Sequence, residues 1–128
     1  MKQNSRPINV GLRDLASFRW PITALTSITH RVAGVILFLG VAFMLYALDL
    51  SLSSEEDFNY LKKIMVSPLG KFFTWGVLSA LAYHFVAGTK HVVMDGGFGE
   101  TLEGGQLAAK LTLFFSLVLI VLAAVWVI

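Results

Sequence analysis

The chain has 128 residues, of which 56% are hydrophobic and 14% charged, with a mean hydropathy of +0.74. A soluble domain carries about 25% charged and about 45–50% apolar residues, so this composition points to a membrane protein before any motif is read. The net charge of +2, with no basic stripe interleaved with aromatics, gives no ground for a nucleic-acid partner. The lack of cysteine excludes disulfides, thiolate-held iron–sulfur clusters and a cysteine nucleophile in this chain.

Residues 1–20 form a polar, basic arm with Lys2, Arg6, Arg13 and Arg19, punctuated by Pro7 and closed by Pro21. Irregular or short interfacial structure is expected there. The arm does not read as a cleavable signal peptide, because the apolar stretch that follows is too long and has no small-residue cleavage site. A first helix is predicted over about 21–48. Pro21 suits a first helical turn, and 17 uncharged positions separate Arg31 from Asp49. With the uncharged stretch before Arg31, the run reaches the roughly 20 residues a span requires.

Residues 49–63 are polar and form the first loop, with a short helix after Ser54, a residue suited to cap it. A second helix is predicted over about 68–93, with no charged residue between Lys71 and Lys90. Residues 95–105 contain five of the 11 glycines and form the second loop. A third helix follows over about 106–128. The fold class is therefore all-α: one integral membrane domain, residues 1–128, crossing the bilayer three times. Seven of the ten basic residues lie on the arm, Arg31 and the second-loop side (Lys2, Arg6, Arg13, Arg19, Arg31, Lys90, Lys110). The excess of Lys and Arg places the amino terminus in the cytoplasm and the carboxy terminus across the membrane.

Ionisable groups within a span cost about 2.5–3.5 kcal/mol at the bilayer centre and call for a reason. The candidates are His30, Arg31, His84 and His91. At a rise of about 1.5 Å per residue, matching Lys71 with Asp49 brings Arg31 level with Thr89. His30, Arg31, Lys90 and His91 then converge at the cytoplasmic boundary, and His84 lies about 9 Å deeper than Lys90. Ser27, Arg31 and Gly34 share one face of the first helix; His84, Gly88 and His91 share one of the second, led by Gly76 and Ala80. Small residues there serve helix packing or close approach of a flat ligand. Arg31 and Lys90 have the ordinary reading of snorkelling to headgroups, and His91 that of a boundary residue. A neutral histidine as deep as His84 either hydrogen-bonds a neighbouring helix, carries protons, or ligates a cofactor such as haem. His91, two turns away on the same face, cannot take the opposite side of one haem, so a second ligand would come from another chain.

The stretch Ser27-Ile28-Thr29-His30-Arg31-Val32-Ala33-Gly34, preceded by Arg6-Pro7 and Pro21-Ile22-Thr23, resembles the first signature of the cytochrome b subunit of succinate dehydrogenase. The stretch His84-Phe85-Val86-Ala87-Gly88-Thr89-Lys90-His91, ending at Met94-Asp95, resembles the second. The resemblance covers nearly the whole chain and is to the proteobacterial form. Ala33 stands where that family usually has serine or threonine, Lys90 where it has arginine, and Arg6-Pro7 lies a few residues further from Ser27 than usual.

The resemblance implies half of a two-subunit, haem-binding helix bundle in the bacterial inner membrane. The chain would anchor a succinate:ubiquinone oxidoreductase, with a flavoprotein, an iron–sulfur protein and a second small membrane subunit as partners. Haem b would be shared with that second subunit, which supplies the other iron ligand. Carried over residue by residue, His84 is the axial ligand to the haem iron. Ser27 and Arg31 line the ubiquinone site, and His30, Arg31 and His91 lie near the haem propionates. No complete catalytic site is expected in this chain alone. The alternatives are a cofactor-free anchor and the anchor of a fumarate reductase. A transporter subunit fits less well, for want of repeats or discontinuous helices.

Overall fold

A computed structural model describes residues 11–127. Lys2, Arg6, Pro7 and the last residue of the third helix, Ile128, lie outside them. Five helices follow one another: α1 (Leu12–Ser17), α2 (Ile22–Ser53), α3 (Glu55–Val66), α4 (Pro68–Asp95) and α5 (Leu102–Val127). α1 is a short helix of six residues within the arm, where irregular or short structure is expected. The Trp20 indole closes on it, donating to the Leu15 carbonyl at 3.2 Å.

α2 runs five residues past its expected end at Leu48. Its polar tail does not break it, because Ser51 donates to the Leu48 carbonyl at 2.7 Å and Ser53 to the Asp49 carbonyl at 2.8 Å. Hydroxyls satisfied by their own helix add no cost to its continuation. The stop comes at Ser54, which turns extended (φ −160°, ψ 164°) and caps α3 by accepting from the Asp57 amide at 3.0 Å. Glu55, Glu56 and Asp57 crowd the first turn of α3 and Lys63 its last, the arrangement the helix dipole favours.

α3 and α4 meet at an elbow of 78°. Ser67 caps α4 there, accepting from the Gly70 amide at 3.1 Å and donating to the Ile64 carbonyl at 2.6 Å, and Pro68 opens the helix. A Cβ on Gly70 would fall 2.0 Å from the Ile64 carbonyl oxygen, so only glycine allows so sharp a corner. α5 begins at Leu102, four residues before its expected start. The Gly104 amide donates to the Thr101 hydroxyl at 3.1 Å, and two of the five glycines read as loop, Gly104 and Gly105, lie inside the helix, Gly105 close to Thr23 of α2.

α4 is the central helix, packing on α2, α3 and α5. The Trp75 indole donates to the Ile120 carbonyl at 3.1 Å and ties α4 to α5. The residues sealed inside are small or hydroxylated: Thr26, Ala33, Gly40, Gly70, Ala87, Gly105, Ala109, Thr112 and Ser116. The large apolar side chains face outward, Phe38 at 78% exposure and Trp126 at 80%. Helices that meet through small residues and turn bulk outward are built for lipid, where apolar side chains gain nothing by hiding from their surroundings. α2 and α5 are each long and apolar enough to cross a membrane, and α3 with α4 form a third candidate if the bent pair is one span. The fold is all-helical among the described residues, with two or three candidate spans.

Candidate functional site

The three histidines of the chain meet where α2 crosses α4. The His30 and His84 rings stack at 4.1 Å between centroids with 24° between planes, and His91 lies 5.2 Å from His30 on its other neighbour's side. Two glycines permit this approach. A Cβ on Gly34 would come within 3.1 Å of His84 Cε1, and one on Gly88 within 3.5 Å of His30 Nε2. Each helix thus offers a notch to the other's imidazole. Gly76, expected on the same packing face, has nothing within 4 Å of its virtual Cβ and takes no part.

His84 Nδ1 lies 3.1 Å from the His30 backbone carbonyl. A carbonyl oxygen only accepts, so Nδ1 carries the proton and Nε2 keeps its lone pair. That is the tautomer of a metal-binding histidine, oriented from behind by a second partner. His30 Nε2, by contrast, is buried with no hydrogen-bond partner among the described residues. A buried polar atom left unpaired costs about 1–3 kcal/mol.

A second network lies one turn towards the amino end of α2. The Lys90 ammonium donates to the Thr26 hydroxyl at 3.2 Å, and the Tyr83 hydroxyl donates to the Thr26 carbonyl at 3.2 Å. Tyr83 also hydrogen-bonds Thr29. Thr26 is 1% exposed. Lys90 therefore turns into the helix pair and does not snorkel away from it. Thr26 and Tyr83 were not singled out in the sequence. Their only signal there is a hydroxyl within an apolar run, Thr26 one turn from His30 and Tyr83 next to His84.

The predicted site residues come together in part. His30, His84 and His91 form one cluster, and Arg31, Lys90 and Asp95 lie close enough to His91 to act on its charge. Arg31 is exposed and Ser27 half-buried, one residue from Thr26. Gly88 lies level with His30, so His84 stays about 6 Å deeper along the helix, and the two side chains bridge that offset to stack. Gly34 lies against His84 and Gly40 against Val77, which brings Arg31 level with Ala87, about 3 Å from the expected Thr89. α2 continues past Asp49 to Ser53, so Asp49 does not mark its end and does not lie level with Lys71.

Comparison with known proteins bears on this geometry. The model of the succinate dehydrogenase/fumarate reductase transmembrane subunit family matches residues 2–123. The succinate dehydrogenase cytochrome b556 subunit of Coxiella burnetii is 37% identical over 123 residues, covering 95% of this chain and 96% of that protein. The b556 subunit of Paracoccus denitrificans is 29% identical over 98% of this chain and 94% of its own length. The mitochondrial cytochrome b560 subunit of Sus scrofa is 30% identical over 77% of this chain and 62% of its own length. With apolar helices of spanning length and a match from near its first residue to near its last, the chain is a multi-pass membrane protein that belongs to the succinate dehydrogenase/fumarate reductase transmembrane subunit family.

Proposed function

We propose that this chain is a haem-bearing membrane anchor of a succinate:ubiquinone oxidoreductase. The observation that carries the reading is the hydrogen bond from His84 Nδ1 to the His30 carbonyl, which frees Nε2 for iron. In this reading α4 is the third span and α3 lies along the membrane surface beyond the elbow. The amino terminus is cytoplasmic, the carboxy terminus periplasmic, and the membrane is the bacterial inner membrane. A second small membrane subunit completes the bundle and would supply the other ligand to the haem iron, while an iron–sulfur subunit and a flavoprotein dock on the cytoplasmic face.

The residues present fit haem b. His84 offers the right nitrogen, Gly34 makes the room in which its ring is seated, and His30 Nε2 lies buried without a partner among the described residues. His30, Arg31 and His91 would hold the propionates, as cationic or hydrogen-bonding groups suit carboxylates that must leave the hydrocarbon. When bound, haem supplies a one-electron redox centre.

Ubiquinone is the substrate at this end of the complex. Succinate loses two electrons and two protons at the flavoprotein, the iron–sulfur subunit delivers the electrons, and the quinone takes up two electrons and two protons to become quinol. Ser27 donates a hydrogen bond to a quinone carbonyl oxygen. Arg31, one turn further along the same face, stabilises the negative charge that develops on the quinone oxygens. Lys90 and Tyr83 hold Thr26, and with it the backbone that carries Ser27, in place.

The test is a reduced-minus-oxidised absorption spectrum of the assembled complex, wild type against His84→Leu. A b-type signal lost or shifted in the variant supports the assignment. An intact wild-type complex with no such signal leaves a cofactor-free anchor as the correct reading.

A further inference from the structure

Two residues that follow one another on α4 reach two carbonyls one turn apart on α2. The Tyr83 hydroxyl donates to the Thr26 carbonyl at 3.2 Å, and His84 Nδ1 donates to the His30 carbonyl at 3.1 Å. Four residues separate the two acceptors, about 6 Å along the axis. Within α2 each of these oxygens already takes the amide four residues further on, so α4 uses the second lone pair of each. Tyr83 also hydrogen-bonds the Thr29 hydroxyl. A single donor cannot fix two helices, because they remain free to pivot about one bond. Donors on successive residues, bonded to carbonyls one turn apart, remove that freedom: any pivot or slide stretches one bond or the other. Little else at this crossing resists a pivot, since the groups sealed between α2 and α4 are small, Thr26 and Ala33 on one side and Ala87 on the other.

We propose that Tyr83 is a positioning residue for His84: its hydroxyl, seated on the Thr26 carbonyl, stops α4 from pivoting on α2 and so fixes the plane of the His84 ring and the direction of its Nε2 lone pair. The proposal rests on the reading of His84 as a haem ligand and goes beyond it, since it assigns the orientation of that ligand to a residue that is not one. The outer partner of a ligating histidine sets its tautomer and orientation. Here the His30 carbonyl is that partner, and Tyr83 sets where the carbonyl stands relative to α4. Orientation and hydrogen bonding of an axial ligand tune the iron, so the hydroxyl of Tyr83 has a spectroscopic consequence that ordinary helix packing does not.

The test uses the complete membrane complex carrying Tyr83→Phe, which removes the hydroxyl and keeps the ring. Electron paramagnetic resonance and redox titration read the haem, and transfer to apomyoglobin reads its release. We expect the variant to assemble and to keep its haem, with a displaced or broadened low-field resonance, a shifted midpoint, and release faster by about five-fold, the effect of losing one ordinary hydrogen bond. Thr29→Val removes one of the two oxygens that the Tyr83 hydroxyl meets. It should move the same signals in the same direction by less, and it decides the matter if Tyr83→Phe fails to assemble. Thr74→Val is the control: it deletes a hydroxyl that bonds the Gly70 carbonyl within α4 itself, and should leave resonance and midpoint unchanged. A lower melting temperature with unchanged resonance and midpoint would mean that Tyr83 only stabilises the helix pair, and overturns the proposal. A change confined to the KM for ubiquinone would mean that Tyr83 serves Ser27 alone, and overturns it as well. Absence of haem from the assembled wild type would take down the reading of His84 as a ligand along with this one, whereas an unaltered signal in a haem-bearing Tyr83→Phe complex sinks the role of Tyr83 only.

Discussion

His84 is held by the backbone of His30 and stacked upon by its ring. The two contacts are separable: Nδ1 bonds the carbonyl at 3.1 Å, while the imidazoles lie face to face at 4.1 Å. His30→Ala removes the ring and leaves the carbonyl. The haem signal of the complex is expected to persist in that variant, with its reduction midpoint moved. Complete loss of haem on His30→Ala, in a complex that still assembles, would mean that the ring and not the backbone orients His84.

Gly34→Ala puts a methyl 3.1 Å from His84 Cε1. The ring must shift by a few tenths of an ångström or the helices must part. An overpacked contact of this kind costs about 1–3 kcal/mol. The expected outcome is a broadened or shifted haem band and a lower melting midpoint of the complex, and Gly34→Val is expected to abolish haem retention. Wild-type spectra in both variants would show that His84 sits elsewhere in the assembled complex.

Thr26→Val leaves the half-buried Lys90 ammonium without its 3.2 Å acceptor. A hydrogen bond to a charged group contributes about 1.5–3 kcal/mol, so the variant is expected to lose about that much stability. Lys90→Met, which takes the charge away with the bond, is expected to lose less. A double-mutant cycle on the melting of the complex isolates the pair term, and a coupling near zero counts against the network.

Arg31→Ala is expected to slow ubiquinone reduction on the order of a hundred-fold, the usual effect of removing one preorganised donor to developing negative charge. Succinate oxidation by an artificial acceptor that draws electrons upstream of the quinone should be unchanged. Normal quinone turnover in this variant removes Arg31 from the site.

Gly70→Ala tests the elbow. Its methyl would overlap the Ile64 carbonyl, 2.0 Å away, so the corner between α3 and α4 must open. We expect a loss of about 3 kcal/mol, at the upper end of ordinary single substitutions, seen as poor assembly at 37 °C. An unaffected melting midpoint would show that the corner has slack.

Much of this architecture was legible in the chain. The long apolar runs mark α2, α4 and α5, Ser54 marks the start of α3, and Ser67-Pro68 marks that of α4. The helix ends that moved did so for local reasons. Ser51 and Ser53 bond back to α2 and extend it, and Thr101 caps a helix that starts among glycines. Convergence of His30, Lys90 and His91 follows from the helical rise alone. The His30–His84 stack does not, because an offset of two residues in the register of neighbouring helices decides which ring meets which. Thr26 and Tyr83 were illegible for a related reason. A hydroxyl in a span ordinarily bonds its own preceding turn, as Thr74 does to the Gly70 carbonyl and Thr26 to the Thr23 carbonyl, and only the neighbouring helix determines which of them also meets a partner across, as Thr26 meets Lys90.

The inward placement of small residues and outward placement of large ones has a bearing on how the protein can be watched. Beyond its first turn, each backbone amide of a long helix is satisfied within that helix, and lipid enforces this whether or not the helices touch. The contacts that create the histidine cluster are few and lie between helices: two glycine notches, one lysine, one tyrosine. Helices can therefore separate inside a bilayer with their secondary structure whole. Far-ultraviolet circular dichroism would report an intact protein after the site had gone, and the spectrum of whatever His84 holds would be the first signal to fade.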